Sequence, residues 1–207
     1  GRPKKIFEKK TRYKVLKNLS SVSKLRSFFF SRTRFHPPAI MFRHSILVEH
    51  NIAYNENFVS LNDRQLYFDI GKYAKLANMS DMLYKYRFHK DMTSKVLKDK
   101  IKQERKVFHQ MWFEYNGINL TPAEKQIFDD YVTTGRCRIK DSAVLADVNA
   151  VLEKLVAENK QKHFLSEPEF SDVCANYLVK RCVNAAFYGA INSEKVLAAS
   201  ELSTHRG

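Results

Sequence analysis

From residue 62 onward, apolar side chains recur at the three- and four-residue spacing of amphipathic helices. This spacing predicts one helix over about residues 63–79 and a short one over 80–86. A long helix is predicted over about 93–115. It should end at Asn116-Gly117, because both residues tolerate the positive φ found at helix C-termini.

Two of these helices have an apolar stripe. Along the first, which Asp63 is expected to cap, the stripe consists of Leu66, Ile70, Tyr73 and Leu76. Along the long helix it consists of Leu97, Ile101, Phe108 and Trp112. The charged residues that lie off this second stripe are Lys98, Lys102, Glu104 and Lys106. Each helix should therefore bury one face and turn the other to water.

Capping signals organise the rest of the chain. Thr121-Pro122-Ala123-Glu124 is a capping box with proline at the first helical position, and its helix should end near Gly135. Asp141 or Ser142 starts the next helix, a second capping-box pattern lies at 166–169, and a last helix is predicted over 193–202. The apolar faces of the two longer helices consist of Val144, Leu145, Val148, Val151, Leu152, Leu155 and Val156, and of Val173, Tyr177, Leu178 and Cys182.

These patterns predict an all-α fold, in which a small helical body carries a long basic N-terminal arm and extra C-terminal helices. No alternating strand pattern and no internal repeat is visible in the sequence. The expected organisation is an extended arm over 1–44, a loop over 45–61, a helical core over 62–135 and additional helices over 136–207.

The basic charge is concentrated at the start of the chain. Residues 1–44 hold 13 Lys and Arg against one acid, Glu8, and so carry +12 of the net charge of +14. Pro37-Pro38 closes this segment, because two prolines stop a helix and extend the chain. The candidate cations for contact with RNA or an anionic surface are Lys4, Lys5, Lys9, Lys10, Arg12, Lys14, Lys17, Lys24, Arg26, Arg32, Arg34 and Arg43.

The basic arm has two functional interpretations. Lys and Arg neutralise phosphates and interleaved aromatic rings stack on unpaired bases, so the arm would suit RNA, as in many ribosomal proteins. It would equally suit anionic lipid headgroups or the face of a membrane complex, where each cation contributes about 1 kcal/mol. The cluster Phe28-Phe29-Phe30 between Arg26 and Arg32 indicates an interface, because three adjacent exposed rings are costly.

Composition restricts the cellular compartments in which the chain is expected. The longest apolar runs extend over a few residues, whereas a membrane-spanning helix needs about 20, so no transmembrane helix is predicted. The chain has three cysteines and no C-x-x-C pair, which indicates a reducing compartment. Cys174 and Cys182 are eight residues apart on one helical face and are interpreted as small core residues. An arm rich in Arg and Ser and poor in acids also has the composition of a mitochondrial targeting segment.

No pattern for catalysis is present in the sequence. It has no Gly-rich phosphate loop, no H-E-x-x-H and no G-x-S-x-G. The seven histidines show no i, i+4 pair for a metal. Asp129 and Asp130 are adjacent and would point about 100° apart on a helix, which indicates an exposed polar face. The prediction is therefore a protein that is not an enzyme, with no catalytic residue, no metal and no cofactor.

One stretch resembles a known family. Tyr73-Ala74-Lys75-Leu76 followed by Asp81-Met82-Leu83 is similar to a Y-x-K-L-x-x-x-x-D-D-L segment. That segment occurs in the small matrix-side subunit of ubiquinol–cytochrome c reductase, the ubiquinone-binding-protein type. The resemblance covers about residues 66–130, with Leu97, Arg105 and 120–124 at similar offsets. Met82 replaces an aspartate of the family, the family's tryptophan is missing, and the family is shorter than this chain.

The resemblance implies an all-helical, non-catalytic accessory subunit of the respiratory chain. It implies a peripheral position on the matrix side of the inner mitochondrial membrane, packed against cytochrome b, with a role in assembly and stability. The partner contacts that it implies are Tyr73, Lys75, Leu76, Asp81 and Arg105. The alternatives are a mitochondrial ribosomal protein that binds rRNA through its arm, and an accessory subunit of mitochondrial ATP synthase or another respiratory complex.

Overall fold

A computed structural model describes residues 3–6, 11–12, 22–30, 35–79, 81, 84–87, 97–133 and 137–191. The predicted helical fold class is confirmed. The helices are α1 (Val22–Ser27), α2 (His44–Glu49), α3 (Asn62–Tyr73), α4 (Lys98–Tyr115), α5 (Pro122–Ile127), α6 (Ser142–Lys162) and α7 (Glu169–Phe187). A 3-10 turn at Pro37–Ala39 precedes α2, and a π-helical turn at Phe128–Val132 continues α5.

The described residues also form three short strands: β1 (Pro3–Ile6), β2 (Thr11–Arg12) and β3 (Tyr84–Arg87). β1 pairs antiparallel with β2 and parallel with β3. The helix predicted over 80–86 is therefore wrong at residues 84–86, where the backbone belongs to β3. Strands this short are held by backbone pairing, which needs no alternating side-chain pattern.

The chain forms two compact units, Gly1–His109 and Gln110–Gly207, and the division falls within α4. In the first unit, the expectation of an extended arm over 1–44 is wrong at 22–30. There α1 leads into Phe28-Phe29-Phe30, and all three rings are buried. Their burial removes a large apolar area from water, which offsets the cost of ordering the segment. These phenylalanines are thus core residues of the chain itself and are not exposed for an interface.

A chain of ring contacts holds the core of the first unit together. Phe68 of α3 packs edge-on against Phe108 of α4 and against Phe29, with centroid distances of 5.7 and 6.1 Å. Phe29 in turn lies 6.4 Å from Phe35. The buried guanidinium of Arg64 covers the Phe108 ring and donates to the carbonyl of Phe29. Sequence-distant segments therefore meet on one face of α3.

The helix predicted over 63–79 ends early, at Tyr73, because Ala74 adopts an extended backbone. Leu76 then folds back against α3, where a Cβ placed on Gly71 would lie 3.2 Å from its Cδ1. Glycine at position 71 makes room for this contact. Leu76 is buried as its stripe predicts, although it lies beyond the helix. The predicted loop over 45–61 is also wrong in part, since α2 occupies 44–49.

The second unit follows its capping signals closely. α4 ends at Tyr115 and is followed by Gly117 at a φ of +63°, as predicted. The Thr121–Glu124 capping box starts α5, and Asp141 caps α6. The capping box predicted at 166–169 is wrong, because Pro168 is the N-cap of α7 and provides no side-chain bond. The helix predicted over 193–202 lies outside the described residues.

Helices α6 and α7 pack against each other in the second unit, and α5 packs on α6. Phe164, in the connection between α6 and α7, contacts both Trp112 and Phe170 at 5.9 and 5.6 Å. Asn159 is fully buried and fixes this connection, donating to the Leu165 carbonyl and accepting from its N–H at 3.1 and 2.8 Å. The connection is therefore part of the core.

Candidate docking cleft

A cleft of about 760 Å³ opens beside α3 in the first unit. Its walls are formed by the segment 35–46, by the segment 74–79 and by Tyr67 and Ile70 of α3. Pro37 and Pro38 restrict the first wall to a turn, and the early end of α3 forms the second. A concave, largely apolar site of this size is of the order expected for a ligand or a peptide anchor.

Tyr67 provides the buried polar group of the cleft. Its side chain is 4% exposed, and its hydroxyl makes no hydrogen bond with any described residue. Phe35 packs edge-on against the ring at 5.6 Å. Burial, with smaller contributions from Asp63 and Tyr54, raises the pKa of Tyr67 well above its usual value. The phenol therefore keeps its proton, and its hydroxyl is a buried donor with no acceptor among the described residues.

Exposed apolar side chains form the rim. Met41 is 97% exposed, Met79 59% and Phe42 41%. All three line the cleft, so the apolar surface continues from its interior to its outer edge. Continuous apolar surface of this kind marks interaction sites on soluble proteins.

The charged side chains that line the cleft are all basic. Arg43 and Lys75 line it, are exposed and form no ion pair or hydrogen bond through their side chains with any described residue. His36 lines it as well, and the described lining contains no Asp or Glu. The rim is therefore positive and suits an acidic group.

The position of α3 is fixed by a carboxylate from α4. Glu104 is 4% exposed and accepts three backbone hydrogen bonds, from the N–H groups of Val59, Ser60 and Leu61, at 2.8, 2.8 and 3.0 Å. Leu61 is the N-cap of α3 and gives no side-chain bond. Glu104 thus holds the segment that leads into α3. Asp63, predicted as the N-cap, lies instead in the first turn of α3 and accepts from the N–H of Arg64 at 2.6 Å. The sequence pattern placed Glu104 among the charged residues that lie off the apolar stripe, so it predicted an exposed side chain. The structure buries it.

Tyr73 lies at the end of α3 and connects it to α2. Its ring stacks on His50 with centroids 3.7 Å apart and planes 9° from parallel. Tyr73 remains 54% exposed. His50 is the C-cap of α2, so this stack ties α2 to the end of the helix that forms the floor of the cleft.

The five partner contacts implied by the resemblance are only partly brought together. Lys75 and Leu76 line the cleft, and Tyr73 lies just before them. Asp81 is exposed and does not line the cleft. Arg105 is half-buried on α4 and does not line it either.

Of the basic candidates, Arg43 lines the cleft and Arg26 is half-buried at the end of α1. The structure describes the backbone alone of Lys4, Lys5, Arg12 and Lys24. The remaining candidates lie outside the described residues, namely Lys9, Lys10, Lys14, Lys17, Arg32 and Arg34. Sequence reasoning missed Tyr67, Met41 and Phe42. The run Ala39-Ile40-Met41-Phe42 directly after two prolines was a signal for the apolar rim.

Outside the cleft, the described part of the chain shows no arrangement of side chains typical of a metal site. It holds no cluster of three or more His, Cys, Asp and Glu side chains able to bind a metal ion. Among its helices, none combines the length and the apolar character needed to cross a bilayer. Cys174 and Cys182 are buried core residues, as predicted, and burial raises the pKa of both thiols. Comparison of the chain with protein-family models, with curated proteins and with solved structures found no match.

Proposed function

We propose that the chain is a non-catalytic subunit of a larger assembly and that a partner subunit docks at the cleft. The observation that carries this proposal is the exposed apolar rim of Met41, Phe42 and Met79, continuous with a concave interior. Apolar surface of this kind is stabilised when a partner covers it.

The assembly that we propose is the mitochondrial ubiquinol–cytochrome c reductase, with the chain peripheral on the matrix side. Support comes from the resemblance at Tyr73–Leu76, because Lys75 and Leu76 of this stretch line the cleft. Cytochrome b is then the partner that reaches the cleft. Anionic lipid headgroups would lie near the basic residues of 1–44.

Gradient fractionation tests this proposal. Mitochondria are extracted with a mild detergent, and the protein is followed by antibody beside haem absorbance and rRNA. We expect it to migrate with haem and away from rRNA. The double variant M41D/K75E should leave the haem fractions, whereas K160E, an exposed change in the second unit, should remain. Migration of the unaltered protein away from haem contradicts the assignment.

A second candidate is a mitochondrial ribosomal protein, which is favoured by the charge of +12 in residues 1–44. RNA binding would then weaken steeply with salt, with a log–log slope close to the number of phosphates neutralised. Binding to a structured rRNA fragment is measured between about 50 and 200 mM salt. A flat response, or purified particles without rRNA, rejects this candidate.

A further inference from the structure

We infer that the cleft takes a short segment of a partner protein in which a large apolar side chain is flanked by acidic residues. This inference rests on the proposed function, since it specifies the partner that docks there. Three features of the cleft each define one property of the segment: its apolar interior, its buried hydroxyl and its cationic edge.

The interior defines an apolar anchor. Ile70 and Leu76 form the inner wall, and both are nearly buried while still lining the cleft. A large aliphatic or aromatic side chain placed against them would lose most of its contact with water. Met41 and Met79 at the rim have flexible thioether side chains that adapt to the shape of such an anchor.

The hydroxyl of Tyr67 defines an acceptor. A buried donor without a partner is costly, and the cost is removed when a carbonyl or carboxylate oxygen approaches it. The hydroxyl oxygen has no contact with water, so an acceptor in the cleft reaches it only when the Tyr67 side chain turns towards the cleft that this residue lines. A peptide backbone offers a carbonyl at every residue beside its anchor.

Arg43 and Lys75 define acidic flanks. They come from two different segments of the wall, 35–46 and 74–79, and neither is neutralised by a described residue. Carboxylates on either side of the anchor would meet both cations. A segment with basic flanks would instead be repelled.

The shape and the rim favour a protein over a small molecule or a bilayer. A molecule confined within the cleft would leave Met41, which is 97% exposed, uncovered. A bilayer surface would cover the rim, but it is flat and would not place an acceptor beside Tyr67 in the concave interior. A protruding segment of a folded partner would cover the rim and also place an acceptor in the concave interior.

Peptide selection tests the inference. Random peptides of about 12 residues are displayed on phage and selected against the full chain, and the enriched sequences are synthesised for fluorescence anisotropy. We expect an aromatic or aliphatic anchor with Asp or Glu on both sides. R43E/K75E should weaken the binding of these peptides at least about tenfold and shift selection towards basic flanks. The control K140E/K160E makes the same change in net charge at exposed sites of the second unit and should bind as the unaltered chain does.

The variant Y67F separates binding from folding. It removes a hydroxyl that has no described partner, so the midpoint of denaturation should stay the same or rise. Peptide affinity should fall about fivefold, because the new hydrogen bond cannot form. A variant that binds peptides as tightly as the unaltered chain overturns the role assigned to Tyr67.

Several results overturn the inference as a whole: no enriched peptide, enriched peptides without acidic flanks, or binding that R43E/K75E does not change. Vesicles with about 30% phosphatidylserine are measured in parallel. If they bind the chain through Arg43 and Lys75 while peptides do not, the site belongs to lipid. If no acidic peptide binds but the protein migrates with haem, the acidic partner segment is rejected and the proposed function is retained. If acidic peptides bind but the protein migrates away from haem, the assignment to the respiratory assembly is rejected and the acidic partner segment is retained.

Discussion

Glu104 is a carboxylate that has lost most of its contact with water, and three backbone N–H groups replace that water. They belong to Val59, Ser60 and Leu61, which lead into α3. Val59 and Ser60 precede the helix and Leu61 is its N-cap, and a negative charge beside a helix N-terminus is favourable. A single side chain therefore both satisfies these donors and fixes α3 to α4.

Replacing Glu104 by alanine should lower the free energy of unfolding by about 2–4 kcal/mol, because three partly buried N–H groups lose their one charged acceptor. Glu104→Gln should cost less, since one carbonyl oxygen remains. Urea denaturation measures both, and hydrogen exchange at 59–61 locates the effect. The matched control is Glu114→Ala, an exposed glutamate of the same helix, expected to cost less than about 0.5 kcal/mol. Equal losses for the two alanine variants would show that the Glu104 carboxylate contributes nothing.

At the scale of elements, the start of α5 is joined to α6 through one carboxylate. Glu124 accepts from the backbone N–H of Thr121 at 2.6 Å, which completes the capping box. The same carboxylate accepts from Lys154 of α6 at 2.8 Å. Local capping and packing of the two helices are therefore coupled.

This coupling predicts a pH dependence. The hydrogen bond from Lys154, and then the backbone bond of Thr121, hold the pKa of Glu124 below its usual value near 4.5. A carboxyl with a lowered pKa stabilises the folded state above about pH 4.5, and this stability is lost as the pH falls through the folded pKa. Glu124→Gln should therefore cost about 1 kcal/mol at pH 7, and this cost should shrink as the pH falls below about 4.5.

Denaturation midpoints of the unaltered chain and of Glu124→Gln, recorded between about pH 3 and 7, measure this difference. Glu153→Gln, an exposed neighbour on α6, should follow the unaltered chain throughout. If the denaturation midpoints of Glu124→Gln and the unaltered chain differ as much at pH 3 as at pH 7, the stabilisation by Glu124 is not electrostatic.

The sequence predicted correctly those helix ends that depend on contacts between residues close together in the chain. Thr121, Asp141 and Gly117 act within a few residues of themselves, so their roles could be read from neighbouring positions. Glu104 acts across more than 40 residues, and Tyr84–Arg87 pairs with the distant β1. Periodicity carries no information on such contacts. Tyr67 was missed for the same reason, because the cleft exists only where 35–46 meets α3.

At the scale of the whole molecule, the basic segment is joined to the body rather than attached as a free arm. Leu25, Phe28, Phe29 and Phe30 are each less than a tenth exposed and belong to the core of the first unit. The charge distribution shows where the basic residues lie in the sequence. It could not show where the segment enters the core, since adjacent phenylalanines suit an interior and an interface equally.

Truncation distinguishes the two parts of this segment. Removing residues 1–20 deletes β1 and most of the cations but keeps every buried side chain described between 22 and 30. Short strands add little stability, so the loss should stay below about 2 kcal/mol. Removing residues 1–30 also deletes three buried phenylalanines, each contributing about 3–5 kcal/mol, and the first unit should not fold. Circular dichroism and hydrogen exchange measure both losses, and equal losses would contradict the anchoring role of Phe28–Phe30.

The clamp of Glu104 on Val59–Leu61 also sets an order of events during translation. The acceptor is made 43 to 45 residues after the three N–H groups that it binds. Phe108, which packs on Phe68, follows later still. The segment that leads into nascent α3 therefore leaves the ribosome before the carboxylate that holds it, and the first unit closes only once the middle of α4 has emerged. A chain arrested with α4 still inside the exit tunnel should remain open to protease over residues 59–73.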